Sequence, residues 1–138
     1  MQTRTGRLID HVHLITRRYD DARRFYGAVL AAIGHPIEGE SADAFWCDEL
    51  YVSRPVEATC GDTHVHLAFQ AASRDVVDRF HAEGLAAGGR DHGAPGERDY
   101  HPGYYGAFLL DPDGNNVEAV FHGPTERSAD AVTITRVP

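Results

Sequence analysis

A chain of 138 residues carrying a formal net charge of -8 is long enough to bury one substantial core and too short for two independent ones. Apolar and charged fractions of 42% and 25% are those of a globular protein, and no apolar run approaches the ~20 residues of a membrane span. The acidic balance argues against a nucleic-acid partner, whose phosphates it would repel, and leaves small neutral or cationic ligands open.

Taken in order, His11-Val12-His13-Leu14-Ile15 reads as a first strand, with His11 and His13 on one face and Val12 and Leu14 on the other. Asp20 or Asp21 is positioned to cap a helix, whose apolar positions Ala22, Phe25, Tyr26, Val29, Leu30 and Ile33 recur at helical spacing. Gly34 ends it. Residues 36–42 read as a loop. Residues 44–54, rich in Phe45, Trp46, Tyr51 and Val52, read as two short strands stopped by Pro55.

The next segment repeats the first. A strand over residues 63–69 leads to Ser73 as a cap. A helix through Val76, Val77, Phe80 and Leu85 follows, ending at Gly88-Gly89. Laying His11 on His66 also lays Asp20 on Asp75, Arg24 on Arg79, Phe25 on Phe80, Leu30-Ala31-Ala32 on Leu85-Ala86-Ala87 and Gly34 on Gly89. Such an internal repeat predicts two modules, each of strand, helix and further strands, over residues 7–57 and 62–123.

Residues 90–103 hold Gly93, Pro95, Gly96 and Pro102 and read as a loop, one that also carries His92, Arg98, Tyr100 and His101. The apolar run Ala107-Phe108-Leu109-Leu110, the turn Asp111-Pro112-Asp113-Gly114, and the alternation of Val117, Ala119 and Phe121 with Glu118, Val120 and His122 together predict a β-hairpin. Glu118 sits among apolar neighbours, where a carboxylate is costly to bury unless paired, protonated or bound to a cation. Residues 124–138 form a tail whose Val132-Thr133-Ile134-Thr135-Arg136 alternates like a strand fit to cover a sheet edge.

If the halves pack about a pseudo-twofold axis, His11 and His66 face each other. Glu118 then completes a set of two imidazoles and a carboxylate, suited to a divalent first-row metal with open positions. Other chemistries are not signalled. Ser41, Ser53, Ser73 and Ser128 lie in no nucleophile elbow, and Gly88-Gly89 follows a helix rather than a strand. Cys47 and Cys60 form neither a disulfide framework nor a zinc spacing, and read as free thiols.

The series Ile9-Asp10-His11-Val12, Phe25-Tyr26, His66-Leu67-Ala68-Phe69 and Asp111-Pro112-Asp113-Gly114-Asn115-Asn116-Val117-Glu118-Ala119-Val120 resembles the vicinal oxygen chelate superfamily, which includes glyoxalases, bleomycin-resistance proteins and extradiol dioxygenases. The resemblance spans roughly residues 8–122 and implies an α+β fold, in which two βαβββ modules form a curved mixed sheet around a central cavity. It also implies that His11, His66 and Glu118 match metal-ligand positions for Fe, Mn, Zn, Ni or Co. The pattern departs from glyoxalase I at a fourth ligand. Glu49 and Glu57 are nearby, but Tyr51, Val52 or Ser53 stands at the equivalent place.

The resulting expectation is a metal-dependent lyase, isomerase or ring-cleaving dioxygenase that chelates vicinal oxygens of a small-molecule substrate. The alternative is a non-catalytic binding protein of the bleomycin-resistance kind. His13, His64, His101 and Tyr104 are the candidate acids and bases, because imidazoles titrate near neutrality and both strand histidines share a face with a ligand position. A homodimer is expected from the resemblance and the strand-like tail. The polar start with no apolar segment behind it points to the cytoplasm.

Overall fold

A computed structural model describes residues 2–6, 8–56 and 63–138. Glu57, Cys60 and the module boundaries at 7, 57 and 62 lie outside the described residues. The elements run β1 (Val12–Ile15), α1 (Tyr19–Ala32), β2 (Gly39–Glu40), β3 (Ala44–Cys47), β4 (Leu50–Ser53), β5 (His66–Gln70), α2 (Arg74–Ala86), β6 (Arg90–Glu97), β7 (Tyr105–Leu110) and β8 (Asn116–Phe121). This is an α+β architecture of two βαβββ modules, each with its own four-stranded mixed sheet, ordered β1-β4-β3-β2 and β5-β8-β7-β6. In each, the first strand pairs in parallel with the last and the remaining pairs are antiparallel. No helix among the described residues is long and apolar enough to cross a membrane.

The helices follow the apolar spacing. Ala22, Phe25, Tyr26, Val29 and Leu30 are buried along α1, as are Val77 and Phe80 along α2. Ser73 caps α2, its hydroxyl accepting from the Val76 amide. At α1 the expected cap is displaced. Arg18 holds that position without a side-chain cap bond, and Asp20 and Asp21 fall in the first turn, where carboxylates still meet the positive end of the helix dipole. α2 packs so closely on β7 and α1 at Gly84 that a Cβ there would lie 2.3 Å from Leu109 Cδ1 and 2.8 Å from Val29 Cγ1.

Under the helices, Tyr19 and Tyr26 pack on Phe45, with ring centroids at 5.9 and 6.1 Å. Leu109, Val117 and Ala119 join the same buried cluster. Strand alternation therefore leaves the opposite face of each sheet open, where His13, Trp46, Tyr51, His66 and Ala68 are exposed.

Three stretches differ from the sequence pattern. Residues 90–97, glycine- and proline-rich and loop-like in sequence, form the outer strand β6, whose pairing with β7 shifts register between Asp91 and Gly93 and again before Gly96. An outer strand tolerates such bulges because only one edge must stay paired. β1 starts at Val12, which leaves His11 just outside it. Residues 132–136 form no strand and are exposed, and no edge among the described residues pairs with them.

The modules are tied together by Asp111, only 2% exposed. Its carboxylate accepts from Tyr26 Oη at 2.7 Å, Asn115 Nδ2 at 2.9 Å, and the amides of Asp113 and Asn115 at 2.9 and 2.8 Å. Burial first, and then the Asp111 charge, push the Tyr26 phenol well above its ordinary value. Replacing Tyr26 by Phe should cost about 1–3 kcal/mol, since a buried acceptor loses a donor. A phenol whose folded pKa is raised contributes stability that is complete below its unfolded value near ~10 and is lost as pH climbs beyond it. Denaturant titrations should therefore show wild-type stability falling above about pH 10 and a shallower fall in the Tyr26→Phe protein.

Candidate functional site

On β8 the pleat sends Val117 and Ala119 into the core and Glu118 to the open face, in register with Ala68 of β5 and Phe108 of β7. His66 and Ala68 on that face are exposed, while Glu118, like its neighbours Phe108 and Val120, is buried, at 2% exposure. A solvent-facing glutamate is thereby excluded. Its Oε2 lies 2.8 Å from His66 Nε2, and its Oε1 accepts from the Tyr104 hydroxyl. Gly106 makes room, since a Cβ there would sit 3.1 Å from Oε1. With Glu118 ionised and accepting at both oxygens, His66 Nε2 carries the proton in this pairing.

Tyr104 is held as a donor. Burial first, then the hydrogen bond and the charge of Glu118, raise its phenol above the ordinary value, so it stays protonated through the neutral range. Its ring also meets His101 and His122 edge-on, at 5.3 and 5.2 Å. His101 Nδ1 lies 2.9 Å from the Pro102 carbonyl and His101 Nε2 lies 2.8 Å from His122 Nδ1. A carbonyl can only accept, so with both rings neutral His101 is protonated at Nδ1, His122 donates from Nδ1, and His122 Nε2 keeps a free lone pair. Glu97, Arg98, Asp99, His101, Pro102, Gly103 and Tyr104 line a hollow of about 330 Å³ beside this cluster.

The open face of the first sheet is aromatic. Trp46 stacks on Tyr51 with ring planes 14° apart, and His13 meets Tyr51 edge-on at 5.0 Å. Gly39 lies beneath Trp46, where a Cβ would come within 2.3 Å of the indole. Ser53 Oγ spends its one proton on the Arg54 carbonyl at 2.9 Å and therefore accepts from His13 Nε2 at 2.8 Å. In neutral His13 the free lone pair is thus on Nδ1.

Of the three ligand candidates, the fold brings two together. His66 and Glu118 meet, whereas His11 lies before the edge strand of the other sheet, exposed, with Nδ1 2.5 Å from Asp10 Oδ1. The reason is topological: β1 pairs with β4 and β5 with β8, so the two histidines stand on separate sheets. Among the described residues, no group of three His, Cys, Asp or Glu side chains is placed to hold a metal ion. Among the acid–base candidates, Tyr104 touches Glu118 and His101 touches Tyr104, while His13 is on the first sheet and His64 is exposed ahead of β5. His122 joins these networks without having stood out in sequence, and Ser53, noted at the fourth-ligand place, joins as the partner of His13. The signal for His122 was the period of two running from Glu118 through Val120. Cys47 is buried and its thiol is raised to about 11, mainly by desolvation, which makes it unreactive.

The geometry agrees with what comparison finds. No protein-family profile matches the sequence, and no curated protein does. Solved structures do match: a glyoxalase/bleomycin resistance protein from Albidiferax ferrireducens T118 is 29% identical with a TM-score of 0.72, over 83% of this chain and 98% of that one. A glyoxalase/bleomycin resistance protein/dioxygenase family enzyme from Burkholderia phytofirmans PsJN is 23% identical with a TM-score of 0.61, over 81% and 96%. A lactoylglutathione lyase from Agrobacterium tumefaciens is 18% identical with a TM-score of 0.60, over 84% and 94%. The chain has the vicinal oxygen chelate fold. Within that fold it is similar to the glyoxalase/bleomycin resistance/dioxygenase proteins.

A double-mutant cycle tests whether Glu118 and Tyr104 form a coupled pair. Tyr104→Phe and Glu118→Gln, made singly and together, should show an interaction energy of roughly 0.5–3 kcal/mol in denaturant titrations. Strict additivity would show that the two groups do not interact.

Proposed function

We propose that the protein is a metal-dependent enzyme that chelates two adjacent oxygens of a small planar substrate, in lyase, isomerase or ring-cleaving dioxygenase chemistry. The observation that carries this reading is the buried Glu118 carboxylate, fixed between His66 and Tyr104 on the sheet face turned away from the helices. Imidazole and carboxylate suit Fe, Mn, Zn, Ni or Co, and a carboxylate withdrawn from water with only neutral donors and one histidine around it favours a cation. His66 and Glu118 supply two ligands.

The third, His11, is proposed to come from a second copy of the chain in a homodimer. Its exposure and the unpaired outer edges of β1 and β5 support that arrangement. The open face of the first sheet in one copy would then meet the open face of the second sheet in the other, with the aromatic wall of Trp46 and Tyr51 across from Glu118.

A cation bound there supplies Lewis-acid polarisation of the chelated oxygens. Tyr104 holds Glu118 Oε1 and so fixes the carboxylate. His13 takes a substrate proton at Nδ1, because Ser53 keeps its Nε2 proton in place. Trp46 and Tyr51 present stacked rings against which a planar substrate is oriented. That same wall, in an acidic chain, favours one other reading: a protein that sequesters an aromatic cation without turning it over. A turnover assay separates the two.

Metal analysis tests the proposal together with activity. His66→Ala should lose bound metal, whereas His13→Ala should keep it and turn over roughly 100-fold more slowly, as expected for loss of a general base. Unchanged metal content in His66→Ala would end the ligand assignment, and full activity in His13→Ala would end the proposed role of Nδ1.

A further inference from the structure

A second pocket, of about 460 Å³, opens on the helix side of the molecule. It is lined by Arg18, Asp21 and Arg24 from the first module and by Ala87, Gly88, Arg90 and Pro112 from the second. Glu118 faces away from the helices, so this pocket is separate from the site above. From the pocket's position and charge we propose that it is a binding site for a small phosphate- or polycarboxylate-bearing anion, gripped across the seam between the modules.

Three arginines line it from three different places: the N-cap of α1, the body of α1 and the first residue of β6. Only one carboxylate, Asp21, lines the same space. A local excess of about two positive charges in a chain of net charge -8 is the reverse of the surface as a whole, and it draws anions to this place. Among the described residues, none of the three arginines is in an ion pair. Apart from its histidines, every basic side chain of this protein is arginine, with no lysine in the sequence. Planar forks of this kind bind phosphate and carboxylate oxygens in pairs.

The groups are also partly preset. Arg24 Nη2 donates to the Ala86 carbonyl at 2.9 Å. That bond fixes its guanidinium plane and offsets the negative end of α2, while leaving further N–H groups for a ligand. The volume suits a metabolite-sized molecule rather than a lone ion. An occupant bridging Arg18 and Arg90 would link α1 to β6 beside Pro112, in the same turn whose Asp111 already ties α1 to the hairpin. Occupancy would therefore stiffen the module seam.

The test is calorimetric titration of the full-length protein with inorganic phosphate and, separately, with tricarballylate, at constant ionic strength. Saturable binding at one site per chain is expected, weakened tenfold or more in Arg18→Ala and in Arg90→Ala. Asp21→Asn should bind more tightly than wild type, a gain that misfolding cannot imitate, and Arg136→Ala in the exposed tail should bind unchanged. Tighter phosphate assigns phosphate esters and tighter tricarballylate assigns polycarboxylates. No saturable binding of either, or equal binding in the Arg18 and Arg90 variants, would overturn the proposal.

Discussion

The structure depends on one buried carboxylate. Asp111 gathers four donors, and through Tyr26 it fastens α1 of the first module to the β7–β8 turn of the second. Asn115, held by Asp111, passes the constraint on by accepting the Val65 amide at 3.0 Å, and Val65 immediately precedes β5. The register His66↔Asn116 and Ala68↔Glu118 follows from where β5 is pinned. A slip of one residue would turn His66 away from Glu118. The tie between modules and the meeting of imidazole with carboxylate are thus consequences of the same turn.

At the site, polar groups are arranged to fix one another. Glu118 is costly to bury alone and is tolerated because His66 and Tyr104 each satisfy one oxygen. Ser53 performs the matching service for His13 on the other sheet, setting which ring nitrogen is free. The two sheets therefore present different groups: a carboxylate–imidazole pair on one, and an oriented histidine with a stacked aromatic wall on the other. Neither sheet alone brings together three such ligand side chains among the described residues.

Much of this was legible in the sequence, for identifiable reasons. Helices α1 and α2 follow from apolar spacing, and the hairpin follows from Asp111-Pro112-Asp113-Gly114 between two apolar segments. These are local signals that tertiary packing has no cause to override. The repeat relating His11 to His66 disclosed the paired modules, and the charge within an apolar strand disclosed Glu118. What could not be read was how the modules meet. Whether His11 reaches His66 depends on which strand edges pair, a long-range choice that the repeat leaves open. β6 was hidden because Gly93, Pro95 and Gly96 spell a loop wherever bulges on an outer strand are not allowed for. The N-cap of α1 was misread because two aspartates suit the first turn as well as they suit the cap.

The central claim is that the chelating set is shared between two copies of the chain, and mixing two inactive variants tests it most directly. His11→Ala and Glu118→Ala proteins, each expected under the proposal to lose metal binding by itself, are combined, allowed to exchange subunits, and assayed for bound metal. In a mixed dimer one site carries both substitutions and the other carries neither, so the account predicts that metal binding returns on mixing, at up to one ion per mixed dimer. If subunits exchange and no metal binding returns, His11 and Glu118 do not belong to a site shared between copies, and the account is contradicted.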